Sequence, residues 1–493
     1  MLNYRFLISA VALCLVSYFS LSRISLYLSR RRFQAEHGCK PVQARLPSRD
    51  PLFGLDLMWE ALDNAKNLRL LESMDQRFQR LGVTTFRSRL FGSNVISTIE
   101  PQNIKTILSL RFKDYGLVGR KRALGPLLGK GIFVADGESW ARSRALLRPN
   151  FARDAVADLA AFERHIKYFF KLIPRDGSTV NLQDLFFRFT IDSATEFLFG
   201  HSVHSLKAAV DGSSDDNFAW AFNYAQDAAV SRFRLGPLSR LRKDPKEEKA
   251  IKVCHEFVDQ FVDDAVRYRE MHNSDKHVTS DKYVFLHELA RATDNKRRLR
   301  DELLNVLLAG RDTTASLLSN MFFMVARNTA IWGKLQAEVA ELGGGMPNYD
   351  QLRNLKYLRY CLNECKNVFG IWFPLLSCLT SILALRLHPV VPANSRTAIC
   401  DTFLPLGGGS DGKSPLFVPK GTLVGYNAYA MHRRMDYFGS DAETFRPERW
   451  ETLRPGWEYL PFNGGPRICL GRMCPSHISF PYKSSLIIQA DSV

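Results

Sequence analysis

Apolar residues recur at three- and four-residue intervals through most of this chain, the signature of helices rather than strands. The pattern is clearest over residues 155–172, 181–199, 249–268 and 301–328. Short β-type stretches occur only near residues 83–87 and 423–426, which predicts a minor sheet. Residues 212–216 and 272–281 are polar and read as exposed loops. The N-terminal pattern is of another kind. Residues 6–22 carry no charge and are mostly apolar, and Ile24-Ser-Leu-Tyr-Leu28 extends the run past Arg23. Its length reaches the roughly 20 residues that cross a bilayer. No small-residue cleavage site follows, which argues against a secretory leader. Arg30-Arg31-Arg32 come next, and arginines on that flank predict that the bulk of the protein stays cytosolic. The chain therefore divides into a membrane anchor (1–32), a polar, proline-bearing linker (33–51) and one large domain (52–471). That domain is mainly α with small β-sheets, and no internal repeat is visible.

Composition sharpens this picture in two places. With 67 Lys+Arg against 50 Asp+Glu, the 493-residue chain has a formal net charge of +17. Such a surface suits anionic lipid or an acidic protein. No zinc-finger spacing, phosphate loop or basic stripe interleaved with aromatics accompanies it, so nucleic acid is not expected as a partner. Nine cysteines are scattered without a framework, which points to a reducing compartment.

The candidate chemistry centres on Phe462-Asn-Gly-Gly-Pro-Arg-Ile-Cys469-Leu-Gly471. One cysteine sits on a glycine-bracketed loop, with Arg467 two residues before it and Phe462 seven before. Gly464, Gly465 and Gly471 permit close backbone approach and positive φ. Arg467 offers a fixed cation to an anionic cofactor edge. A structural cysteine in a turn is the alternative reading. In Ala309-Gly-Arg-Asp312-Thr313-Thr314, a polar pair follows a glycine inside an apolar helical run. Threonine hydroxyls there can bond backbone carbonyls and loosen the ladder, although such a triplet read alone suits a cap or a solvated face. Trp140 and Arg144 fall on one helical face at i and i+4 and are both donors.

The cysteine motif, Phe-x-x-Gly-x-Arg-x-Cys-x-Gly, resembles the haem-binding loop of the cytochrome P450 family. Tyr357-Leu-Arg-Tyr-Cys-Leu-Asn-Glu364, His388-Pro-Val-Val-Pro-Ala-Asn-Ser-Arg396 and Ala430-Met-His-Arg-Arg434 look like the fungal n-alkane and fatty-acid hydroxylases of that family. The resemblance implies haem b (iron protoporphyrin IX) with Cys469 as the axial thiolate, which favours O–O cleavage. It implies propionate contacts from Trp140, Arg144, Arg396 and Arg467, with Phe462 and Gly471 shaping the loop. Thr313 would steady the activated oxygen and Asp312 would relay protons. A hydrophobic substrate would arrive from membrane lipid, with electrons from NADPH through a cytochrome P450 reductase. A single-pass anchor in the endoplasmic reticulum membrane with a cytosolic catalytic domain fits that assignment. Oxidation of a fungal secondary metabolite is the alternative substrate reading.

One element departs from the family pattern. Arg449, in Phe445-Arg-Pro-Glu-Arg449-Trp450, should join a Glu and an Arg spaced as Glu-x-x-Arg in a buried ion network. Glu364 and Arg386 are the matching residues, but 366–384 intervenes, interrupted by Asn367, Gly370 and Pro374. Codon degeneracy allows a splice donor at Cys365-Lys366 and an acceptor at Leu383-Ala384. The segment is a whole number of codons, so its removal would restore Glu-x-x-Arg. We therefore expect 366–384 to be a retained intron, and expect 472–493 to be an aberrant tail of similar origin. An inactive, haem-free membrane protein is the rival reading that these defects raise.

Overall fold

The computed structural model describes residues 4–151, 159–213, 217–272, 284–343, 351, 354–364, 386–387, 389 and 391–472. The periodic stretches become helices Leu159–Lys171, Leu182–Phe199, Pro245–His272 and Lys296–Ala326. The last of these is the spine of the domain. Asn295 caps its start by accepting the Arg298 N–H. Leu299, Leu303, Leu304 and Leu307 join one core with Phe222, Val258 and Phe285. Further along, Leu317, Met321 and Val325 join another with Leu358 and Cys361. A helix apolar on several faces belongs at the centre of a large domain, which is where this one lies.

Strands are short. β1 (Ala44–Arg45), β2 (Thr85–Leu90), β3 (Ser93–Thr98), β4 (Tyr115–Gly116), β5 (Ala393–Ala398) and β8 (Leu423–Asn427) form a sheet of order β1-β2-β3-β8-β5-β4. β6 (Thr402–Gly408) and β7 (Ser414–Val418) form a separate antiparallel pair. The two predicted β stretches correspond to β2 and β8. In the register of β5 on β8, Arg396 lies opposite Val424.

The predicted linker differs from expectation. The N-terminal helix runs Tyr4–Glu36, four residues into 33–51. Its last turn continues because Phe33 has packing to gain. Phe33 stacks on His37 at 4.2 Å and lies 5.6 Å from Phe417, while His37 lies 4.8 Å from Phe403. The following residues are laid along the protein rather than free: Lys40 donates its N–H to Pro415, and β1 pairs in parallel with β2. Prolines and polar side chains suit such an edge. The helix is long and apolar enough to cross a membrane, and none of its most apolar 18-residue window is buried in the protein. The expected insertion, 366–384, lies outside the described residues, as does 473–493 of the expected tail.

Candidate active site

The cysteine loop is held by backbone. Phe462 packs beside the second core while its carbonyl accepts the Cys469 N–H at 3.1 Å. The positive φ angles belong to Asn463 and Gly465, whereas Gly464 is extended at φ −148°. Gly465 is required twice over, because a Cβ there would stand 1.8 Å from the Leu108 carbonyl oxygen. Gly464 is required by packing alone, since its Cβ would meet the Trp457 ring at 2.6 Å. Gly471 lies in the 3-10 turn Leu470–Arg472. Cys469 is exposed at the end of this loop. The Arg144 guanidinium donates to the Ile468 carbonyl at 2.9 Å. Burial lowers the pKa of Arg144 and Cys469 raises it, so sulfur and cation face each other. That neighbour favours a thiolate.

Three more guanidinium groups gather beside the loop. Arg467 donates to the Ala135 carbonyl and to Asp136, and lies over the Trp140 ring at 4.5 Å. The indole is thus bracketed by Arg467 and Arg144, the latter at 5.9 Å. Arg396 is buried, donates to Asn394 and the Ser395 carbonyl, and keeps an Nε with no partner among the described residues. Arg120, which sequence reasoning missed, donates to the same Asn394 oxygen at 2.6 Å. Burial and the neighbouring cations bring both Arg120 and Arg467 down to about 10. Like charges that repel in a desolvated site, one with an orphaned N–H, call for an anion. Two carboxylates on one edge of a flat ligand meet that requirement. The donor set and the exposed cysteine fit a haem with propionates.

The helix Lys296–Ala326 passes this region without a break, so the expected loosening is confined to side chains. Thr313 donates its hydroxyl to the Ala309 carbonyl at 2.5 Å. Gly310 is exposed in the midst of a buried helix, and beyond the helix's own backbone no described atom comes within 4 Å of where its Cβ would stand. A hollow therefore opens along Ala309-Gly310, one turn before Thr313. Asp312 pairs with Arg311 at 3.1 Å. Burial raises the Asp312 carboxyl above the usual range, against the pull of Arg311. Its side chain nevertheless keeps a relative exposure of 19%. The carboxyl is thus largely desolvated yet keeps an accessible edge.

The ion network is complete despite the intervening segment. Arg386 donates to both Glu364 oxygens, at 2.6 and 2.9 Å, and both side chains are fully buried. Arg449 donates to Glu364 at 2.7 Å, and the Trp450 indole adds a donor at 3.0 Å. Remaining guanidinium hydrogens reach carbonyls of Phe438, Asp441, Ala442, Thr444 and His432. His432 donates Nδ1–H to the Arg386 carbonyl and accepts the Leu460 N–H at Nε2, which defines its neutral tautomer.

This arrangement agrees with the comparisons to known proteins. The cytochrome P450 family model matches residues 50–365 and 384–474. The chain belongs to the cytochrome P450 family and is a monooxygenase of that family. It is 50% identical to cytochrome P450 monooxygenase himC of Aspergillus japonicus, over 91% of this chain and 78% of the relative. It is 46% identical to cytochrome P450 monooxygenase fsdH of Fusarium heterosporum, over 94% and 80%. Cytochrome P450 52A12 of Debaryomyces hansenii is 42% identical, over 86% and 81%. Family membership implies haem and electrons supplied by a redox partner.

Proposed function

We propose that this monooxygenase hydroxylates an aliphatic C–H bond at or near the end of a long chain, on a fatty acid or an n-alkane. The observation that carries the reading is the open hollow at Gly310, beside Thr313 and Asp312 and just past Leu303, Leu304, Leu307 and Leu308 of the same helix. Haem bound in the described cradle would supply dioxygen activation. Cys469 would hold its iron through sulfur, with the Arg144 cation nearby favouring the thiolate. Arg120, Arg396 and Arg467 would hold the propionates, with Trp140 fixing the Arg467 plane. Thr313, whose proton is committed to the Ala309 carbonyl, presents oxygen lone pairs to the hollow and can orient a water there. Asp312 would supply protons. NADPH would feed electrons through a membrane-bound reductase docked on basic surface, with the anchor in the endoplasmic reticulum and the domain cytosolic. Reconstituted protein given dodecanoic acid should yield the terminal alcohol. Absence of any hydroxylated acid or alkane product would reject the assignment.

A second substrate reading rests on the comparisons. Identity to himC, at 50%, exceeds that to the 52A relatives, at 39–42%, which favours the aliphatic part of a fungal secondary metabolite. Separately, the retained-intron reading of 366–384 is supported by the family match, which breaks over 366–383. Sequencing the spliced transcript tests it: codons for this segment in the mature message would refute it.

A further inference from the structure

The Asp312–Thr313 pair needs a source of protons beyond itself, because Thr313 donates to Ala309 and one Asp312 oxygen is bound to Arg311. The way Arg311 packs indicates where that source lies. Its guanidinium sits between two rings, 5.0 Å from Phe187 and 5.7 Å from Phe222. Phe187 belongs to the helix Leu182–Phe199 and Phe222 to the helix Asn217–Leu235, so the latter flanks one side of the Asp312 ion pair. Just over one turn past Phe222, the same helix carries Gln226 and Asp227, and Arg234 lies two turns beyond Asp227, about 10 Å along the axis.

These polar groups are unusual on a helix that buries Phe218, Ala221, Phe222, Ala225, Ala228 and Ala229. Gln226 is 4% exposed and its Nε2 has no hydrogen-bond partner among the described residues. A terminal nitrogen of Arg234 is likewise buried and without a partner. Asp227 is half-buried, and the charges facing it are Asp312 and Arg311 from the spine helix and Arg234 from its own. Burial and the Asp312 charge raise its carboxyl to about 6. Two carboxyls close enough for the charge of one to raise the other, with buried unsatisfied donors at Gln226 beside Asp227 and at Arg234 two turns beyond it, are equipped to pass a proton in steps.

We propose that Asp227 is the outer carboxyl of a proton relay that recharges Asp312 during turnover. In each step a proton leaves the Asp227 carboxyl for the Asp312 carboxylate, directly or through a water held by Gln226. Asp227 then regains a proton from solvent along the Arg234 side, so charge and atoms balance with water as the only donor. Asp227 acts through Asp312 and is a positioning and relay residue rather than one that touches substrate.

The test uses full-length protein in lipid nanodiscs with reductase, NADPH and dodecanoic acid, comparing wild type with Asp227→Asn and Asp227→Glu. Both variants should keep the carbon-monoxide difference spectrum and the wild-type dissociation constant for dodecanoic acid. In Asp227→Asn, product per NADPH should fall on the order of tenfold, hydrogen peroxide should rise, and the solvent deuterium isotope effect should increase. Asp227→Glu should recover most of the coupling. Independently of turnover, infrared titration of the resting ferric protein should lose a carboxyl band with a midpoint near 6 in Asp227→Asn. Unchanged coupling and isotope effect would overturn the relay. So would a weakened dissociation constant with normal coupling, which would make Asp227 and Arg234 a polar subsite for substrate. Should the Asn variant lose its spectrum, the coupling of the Glu variant decides alone: values about tenfold below wild type would refute the recovery. A wild-type protein with no thiolate-haem spectrum would instead indict the cysteine assignment.

Discussion

A cysteine binds iron as a thiolate, and the environment of each sulfur decides whether that form is available at neutral pH. Cys469 is exposed and faces the Arg144 cation. Cys254 lies in the apolar core among Phe222, Val258 and Leu303, where burial pushes its thiol up to about 12. Cys469→Ala should therefore abolish the shifted Soret band of reduced, carbon-monoxide-treated protein, and Cys254→Ala should leave it in place. A band surviving the first change would move the ligand elsewhere. Thr313→Ala removes the hydroxyl proposed above to orient water in the hollow. NADPH consumption should continue while product per NADPH drops, and unchanged coupling would take Thr313 out of the proton path. Asp227 makes a prediction about stability as well. Its folded pKa of about 6 is above that of an unfolded aspartate. Between about pH 4 and 6 the unfolded chain loses that proton first, so stability falls as pH rises through this window and stays lowered above it. Asp227→Asn should thus raise the thermal midpoint at about pH 7.5 and have little effect near pH 4. Because the group is partly solvated, the gain is on the order of 1 kcal/mol. An equal effect at both pH values would show that the carboxyl is not strained by burial.

At the scale of elements, the Glu364 network ties the helix Lys356–Glu364 to the segment that carries Arg449 and leads into the cysteine loop. Burying these charges is tolerable only because every oxygen and N–H has a partner. Arg449→Met should cost about 3–5 kcal/mol in urea unfolding, since it leaves Glu364 short of a cation inside the core. A loss below about 1 kcal/mol would mean that water reaches the site. The sequence announced the members of this network but not its formation. Glu364 and Arg386 were recognisable by type, and the intervening 366–384 argued that they were severed, yet their bidentate pair forms with both side chains fully buried. Trp450 was missed as a member, for its indole N–H is indistinguishable in sequence from packing. Arg120 was missed for a similar reason. Its signal, Arg120-Lys-Arg122, reads as a solvated basic run, and only the sheet that brings Asn394 beside it reveals a shared acceptor. Motif residues close in sequence were legible, whereas partners delivered by tertiary contact were not.

For the molecule as a whole, the question is how the N-terminal helix, long and apolar enough to cross a membrane, is held against the rest of a chain with a net charge of +17. A flexible linker would leave orientation to the surface charge. The structure has the N-terminal helix clamped to the β6–β7 pair instead. Arg30 donates twice to Asp401, at 2.9 and 3.0 Å, and Asp401 also accepts the Lys420 N–H at 2.7 Å. These contacts hold the Asp401 carboxyl below its usual range although burial opposes them. Phe33 and His37 add ring contacts with Phe403 and Phe417, and Arg111 covers the outer face of Phe403 at 4.2 Å. The ion pair is only partly buried and is worth about 1 kcal/mol or less. Each ring contact adds about 0.5–1.5 kcal/mol beyond area burial. Asp401→Ala alone should therefore loosen the helix little, and Asp401→Ala combined with Phe403→Ala should release it. Trypsin reads the difference in protein held in nanodiscs. Lys40 and Arg45 are tied down by the bridge to Leu416 and the pairing with Arg87, so cleavage there should be slow in wild type. Cleavage should be several-fold faster in the double variant, with the haem spectrum of the freed domain intact. Equal cleavage rates would show that the backbone pairings of residues 40–45, rather than the helix clamp, set how the domain sits against lipid.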